Sequence, residues 1–223
     1  MSCKGCQLVW QSECAQGEFD TPQHTAAASA YQSLLLEGAR NPARYARHRL
    51  WALMFWRPLY LAICSLLCQS NHIGFSRFRL HWTDDRVVGF SGASYSADSV
   101  YPGYPPQGVA GSPGADCRVY RQMHSLVHCC DSLLSSVDEL KRVNRRFAMQ
   151  LVLDALVERV ISLGQSADKA IELASVFALA TDQILGLALA SGHVQQQQYQ
   201  RQSCCLHYLK PANDLCPGCP RTQ

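Results

Sequence analysis

Apolar and polar positions recur at helical spacing over most of this chain and alternate with a period of two over one short stretch. Residues 21–40, TPQHTAAASAYQSLLLEGAR, open on Thr and Pro, continue through good helix formers and close at Gly38 or Asn41, which predicts a first helix. A second helical segment starts after Asn41 and Pro42, carries Arg44, Arg47 and Arg49, and then turns apolar. Pro58 is expected to kink it or to begin a new helix, because proline lacks the N–H that a helix interior uses. The run from Leu50 to Cys68 approaches the length of a membrane span, yet Arg57 and Pro58 sit near its centre. A charge at that depth is expensive, so the run reads as a buried helix pair, with peripheral membrane contact left open.

Between Ile73 and Gly92 the period changes. Phe75, Phe78, Leu80 and Trp82 are interleaved with Arg77, Arg79 and His81, and Thr83, Asp84 and Asp85 precede Val87, Val88 and Phe90. Two β-rich runs around a polar triplet predict a hairpin. A long Gly-, Pro-, Ser- and Tyr-rich loop follows over 94–116. Helical spacing returns in three segments, 117–139, 143–163 and 167–190, with Gly164 as a stop and Ser166 as a fresh N-cap. Leu151, Ala155, Val157, Val160 and Ile161 form one apolar stripe; Ile171, Ala174, Phe177, Ala178, Ile184 and Leu185 form another. Gln195 to Gln198 reads as a polar link. The expected fold class is mainly α (α+β), a helical bundle with a small β-hairpin insertion near 73–92 and a cysteine-rich C-terminal lobe. The expected division is 1–192 for the helical domain and 193–223 for the cysteine-rich segment.

A chain of 223 residues suffices for one substantial domain. A formal net charge of +3 is too mild to argue for nucleic acid. Twelve cysteines are many, though too dilute for a small disulfide scaffold. The N-terminal MSCKGCQLVWQSEC has no apolar run of signal-peptide length, which points to a reducing cytoplasm, where clustered cysteines more often bind metal than pair with each other.

The cysteines that matter most are Cys204 and Cys205, then ten residues, then Cys216 and Cys219 around Pro217 and Gly218. A CxxC turn lets both sulfurs reach one metal centre, and its glycine lets backbone N–H groups approach them. Side chains of adjacent residues diverge, so Cys204 and Cys205 are awkward on a single tetrahedral ion and suit a binuclear site with bridging sulfides. The reading is a 2Fe-2S cluster on Cys204, Cys205, Cys216 and Cys219; a zinc site on the same thiolates, unliganded cysteines and a disulfide are the competing readings.

The stretch from Ser203 to Pro220, with Cys204, Cys205, Tyr208, Cys216, Cys219 and Pro220, resembles the C-terminal signature of ferric siderophore reductases of the FhuF type, CC, ten residues, C, two residues, C. The resemblance implies that all four cysteines bind a 2Fe-2S cluster and that it reduces siderophore-bound Fe(III) in the cytoplasm, at the inner face of the membrane if the apolar run touches it. It implies an oxidoreductase with a ferric siderophore as substrate and no catalytic residue beyond the cluster. There is no G-x-G-x-x-G after a strand, so a small electron-donor protein or reductase is the expected source of electrons. An iron-sulfur electron carrier or redox sensor acting on a partner protein is the alternative. His207 is a conceivable donor to the cluster sulfurs. Arg44, Arg47, Arg49, Arg77 and Arg79 are candidates for attracting an anionic ferric complex, and Tyr95, Tyr101 and Tyr104 for packing against it, with solvated faces as the plain alternative. Cys3, Cys6 and Cys14 form a second thiol group without an obvious fourth ligand. Cys64, Cys68, Cys129 and Cys130 read chiefly as core.

Overall fold

The computed structural model describes residues 23–68, 72–83, 86–96, 117–190, 192–195, 198–210, 215 and 219–222. Helix α1 (Gln23–Leu35) buries Ala26, Ala27, Ala30 and Leu34 along one face and stops short of the predicted Arg40. Helix α2 (Pro42–Leu67) starts at Asn41, whose side chain accepts from the Arg44 N–H, with proline in the first turn where its missing donor costs nothing. It is the described helix long and apolar enough to cross a membrane, and 67% of that apolar window is buried inside the fold.

No new helix starts at Pro58, and the expected helix pair is one 26-residue helix. Burial outweighs the single missing backbone bond. Trp51, Met54, Leu59, Ala62 and Ile63 around the proline are fully buried, and the Trp51 indole donates to the Ala148 carbonyl at 3.0 Å. Arg57, the charge expected to be awkward there, is half-buried and donates to the Val87 carbonyl at 3.2 Å.

The predicted hairpin is β2 (Arg79–Thr83) paired antiparallel with β3 (Arg86–Ser91), Leu80 opposite Phe90. An outer pair, β1 (His72–Gly74) and β4 (Ser94–Ser96), flanks it, so the loop expected over 94–116 begins as a strand. The alternation is as read: Phe75, Leu80, Trp82 and Phe90 are buried, while Arg77 and Arg79 are exposed. The remainder of the loop lies outside the described residues.

Helices α3 (Cys117–Ser136), α4 (Arg145–Ser162) and α5 (Ala167–Leu185) complete the body, with a 3-10 turn at Asp138–Arg142 where α3 was expected to continue. Asn144 caps α4 through the Phe147 N–H at 3.0 Å, and Ser166 caps α5 through the Lys169 N–H at 3.2 Å. Gly186, at φ +64°, ends α5 in the left-handed conformation, five residues before the C-terminal limit read from the sequence would. Ile171 of the expected α5 stripe is 40% exposed, and the buried face is Ala170, Leu173, Ala174, Phe177 and Ala180. Helix α2 lies against α1, α3 and α4, and α5 lies against α3 and α4. Cys64, Cys129 and Cys130 are buried in this core, and burial pushes the thiols of Cys129 and Cys130 up. The stretch expected to be a polar link is a second hairpin, β5 (His193–Gln195) with β6 (Gln198–Gln200), Val194 opposite Tyr199.

Candidate metal centre

The chain reaches the cysteine pair along a path fixed by one buried carboxylate. Asp154, on α4, is 1% exposed. The Tyr199 hydroxyl donates to its Oδ1 at 2.6 Å and accepts from the Gly192 N–H at 3.1 Å. The Gln202 N–H donates to Oδ1 at 3.3 Å, the Ser203 N–H donates to Oδ2 at 2.7 Å, and the Ser203 hydroxyl donates to the same oxygen. Gln150, one turn before Asp154, donates to Oδ1 at 3.3 Å and holds both backbone groups of Ala190. A charge this deep is tolerable because its lone pairs are occupied by donors. The same charge and burial push the Tyr199 hydroxyl well above its ordinary value, burial first. Arg201, beside it, pairs with Glu158.

Beyond the cysteine pair, Leu206 sits at φ +59°, unusual for a side chain with a Cβ. The turn buries Leu206 and Leu209 against Ala39 and Tyr45, with Cys204 and Tyr208 packed on the same small cluster. The Arg40 N–H donates to the Leu209 carbonyl at 2.9 Å. Lys210 pairs with Glu37, which also accepts from the Tyr45 hydroxyl at 3.2 Å. The segment is thus held to α4 on one side and to the α1–α2 turn on the other.

Cys219, 2% exposed, returns to Cys204. Burial raises the Cys204 thiol above its ordinary range. The Leu206 backbone N–H pulls it back, and the neighbouring Cys219 and Cys205 thiols push it up again, Cys219 also through a side-chain hydrogen bond. Cys219 and Cys204 are therefore brought together, with Cys205 beside Cys204 in the chain. Cys216, the fourth, lies outside the described residues, as do Cys3, Cys6, Cys14, Tyr101 and Tyr104. Among the described residues no group of three or more His, Cys, Asp or Glu side chains closes on one point in the manner of a single-ion cage.

Beside Cys205 a cavity of about 240 Å³ opens between α2, α4 and the tail. Arg49 and Trp56 from α2, Ala155 and Glu158 from α4, and Cys205 and His207 from the tail line it. Of the five arginines singled out from the sequence, Arg49 alone borders this cavity; Arg44 and Arg47 lie on the same helix, Arg77 in the turn before β2 and Arg79 on β2. His207 is exposed at its rim. Asp154, Tyr199 and Ser203 escaped the sequence reading. The signal for the first was there, a lone acid inside the apolar run LVLDALV.

The donor set fits an iron-sulfur group. The gathered groups are thiols, soft ligands for such clusters, and Cys219 and Cys205 disfavour ionisation of Cys204, a repulsion that a cationic iron centre relieves. Residues 201–221 match the family model described as the FhuF 2Fe-2S C-terminal domain. No solved structure matches the chain. The C-terminal segment is of this FhuF type, and the cofactor of the chain is a 2Fe-2S cluster.

Proposed function

We propose that this chain is a ferric siderophore reductase, passing one electron to siderophore-bound Fe(III) and so releasing iron as Fe(II) in the cytoplasm. Cys204, Cys205, Cys216 and Cys219 are the proposed ligands. When bound, the cluster supplies reversible one-electron transfer through all-thiolate iron, at the reducing part of the range open to such centres. The convergence of Cys204 and Cys219 inside the matched segment carries this reading.

The chain's own residues supply the rest. The Leu206 N–H donates to the Cys204 sulfur, and Leu206, Leu209 and Tyr45 shield that side from water. The cavity at Cys205 gives a ferric complex a place to approach, with Arg49 and the 36% exposed Trp56 on its wall. Siderophores bind ferric iron through hard oxygen donors that suit ferrous iron poorly, so adding an electron weakens the complex. A small electron-carrier protein or a reductase, itself oxidised in the exchange, restores the electron.

Purification without oxygen followed by metal and sulfide analysis tests the centre: equal iron and sulfide are expected, with both lost in Cys204→Ser; colourless protein holding zinc alone would reject it. The chemically reduced protein is then mixed with ferric siderophores of the hydroxamate, catecholate and carboxylate types and a ferrous chelator. Ferrous chelate is expected with at least one type. A cluster that reduces none of them would reject the reductase and favour a carrier or sensor.

A further inference from the structure

We propose that Asp154 is the positioning residue of the cysteine pair and a fixed negative charge that holds the potential of the cluster low. The inference rests on Cys204 and Cys205 being cluster ligands, and on nothing about the substrate.

Its charge state follows from an inventory of protons. The Ser203 and Gln202 backbone N–H groups can only donate, and so can the Gln150 amide nitrogen. The Tyr199 hydroxyl already accepts from the Gly192 N–H, so its own proton points at Asp154. With these four donors, and the Ser203 hydroxyl on Oδ2 as a fifth, the form that this shell of donors favours is the carboxylate anion.

Its position follows from the chain. Oδ2 takes the backbone N–H of Ser203, the residue bonded to Cys204, and the side chain borders the cavity that Cys205 also lines. An anion there, 1% exposed, is poorly screened by water. Reduction adds one negative charge to the cluster, so a nearby fixed anion opposes it and lowers the potential; donors aimed at that anion soften the effect.

Two substitutions with opposite expected signs test this. Asp154→Asn removes the charge and keeps one acceptor oxygen, so the midpoint potential should rise. Tyr199→Phe keeps the charge and strips one donor from it, so the potential should fall. Both are measured on the full chain with its cluster, by anaerobic dithionite titration with mediators, read by visible absorption and electron paramagnetic resonance.

A rise in Asp154→Asn together with a fall in Tyr199→Phe would support the proposal, and the reverse pair would overturn it. Shifts of the same sign, or an unmoved potential in Tyr199→Phe, would overturn it, because a purely structural Asp154 would make both variants loosen the same segment. If Asp154→Asn fails to hold iron, Tyr199→Phe alone decides by the sign of its shift. A Cys204→Ser protein that keeps the wild-type spectrum would instead show that the ligand assignment is at fault, a result separable from the potentials.

Discussion

Gln122 is fully buried in α3, and its amide does for β1 what a neighbouring strand would do. Its Oε1 accepts from the Ile73 N–H at 2.9 Å and its Nε2 donates to the Ile73 carbonyl at 3.1 Å, while Ser65 donates to the same Oε1 at 3.2 Å. Gln122→Ala strips partners from two buried backbone groups, and an unsatisfied buried group costs about 1–3 kcal/mol, so a loss of about 3 kcal/mol is expected in urea unfolding. A loss below about 1 kcal/mol would mean that water or another residue replaces the amide. Neither Gln122 nor Asp154 could be placed from the sequence. Each is polar in an apolar neighbourhood, which marks it as unusual, but its partners are remote, 49 positions away for Gln122 and Ile73. The 2Fe-2S character of the C-terminal segment was legible because its signature lies in local spacing.

At the scale of elements, what could be read in advance was likewise local. The Ser166 cap and the first hairpin appear as read, since a cap is decided within one turn and an alternating strand by its own residues. A helix start at Pro58 and a link without strands around Gln195 do not appear because remote packing overrides local preference: Pro58 is buried within α2, and Tyr199 on β6 is tied to Asp154. The glycines that punctuate these elements give a graded test. Gly186, at φ +64°, has open space around a hypothetical Cβ, so Gly186→Ala should cost only the left-handed strain, about 1–2 kcal/mol. Gly92, at φ +74°, would place its Cβ 1.8 Å from the Arg77 carbonyl oxygen, where no side-chain motion relieves the clash. Gly92→Ala should therefore lower the urea midpoint clearly more than Gly186→Ala; equal losses would contradict this geometry.

For the whole molecule, three histidines make stability depend on pH in one direction. Burial is the main cause in each case, and it lowers His48, beside the charges of Arg44 and Arg47; His72, beside Arg121; and His124, beside His128. As pH falls through the ordinary value of 6.5, the unfolded chain takes up these protons before the folded one does, so unfolding gains. Their contribution is intact above about pH 6.5 and shrinks below it, so the urea midpoint should be lower at pH 5.5 than at pH 7.5. A midpoint unchanged or higher at pH 5.5 would exclude that linkage. The tail that carries the cysteines is held by Asp154 on one side and by Arg40 and Glu37 on the other, all of which precede it in the chain. Translation proceeds from the N-terminus, and domains fold largely in that order. The residues that grip the tail are thus synthesised ahead of Cys204, and the order of synthesis leaves the cysteine pair to dock on elements made before it.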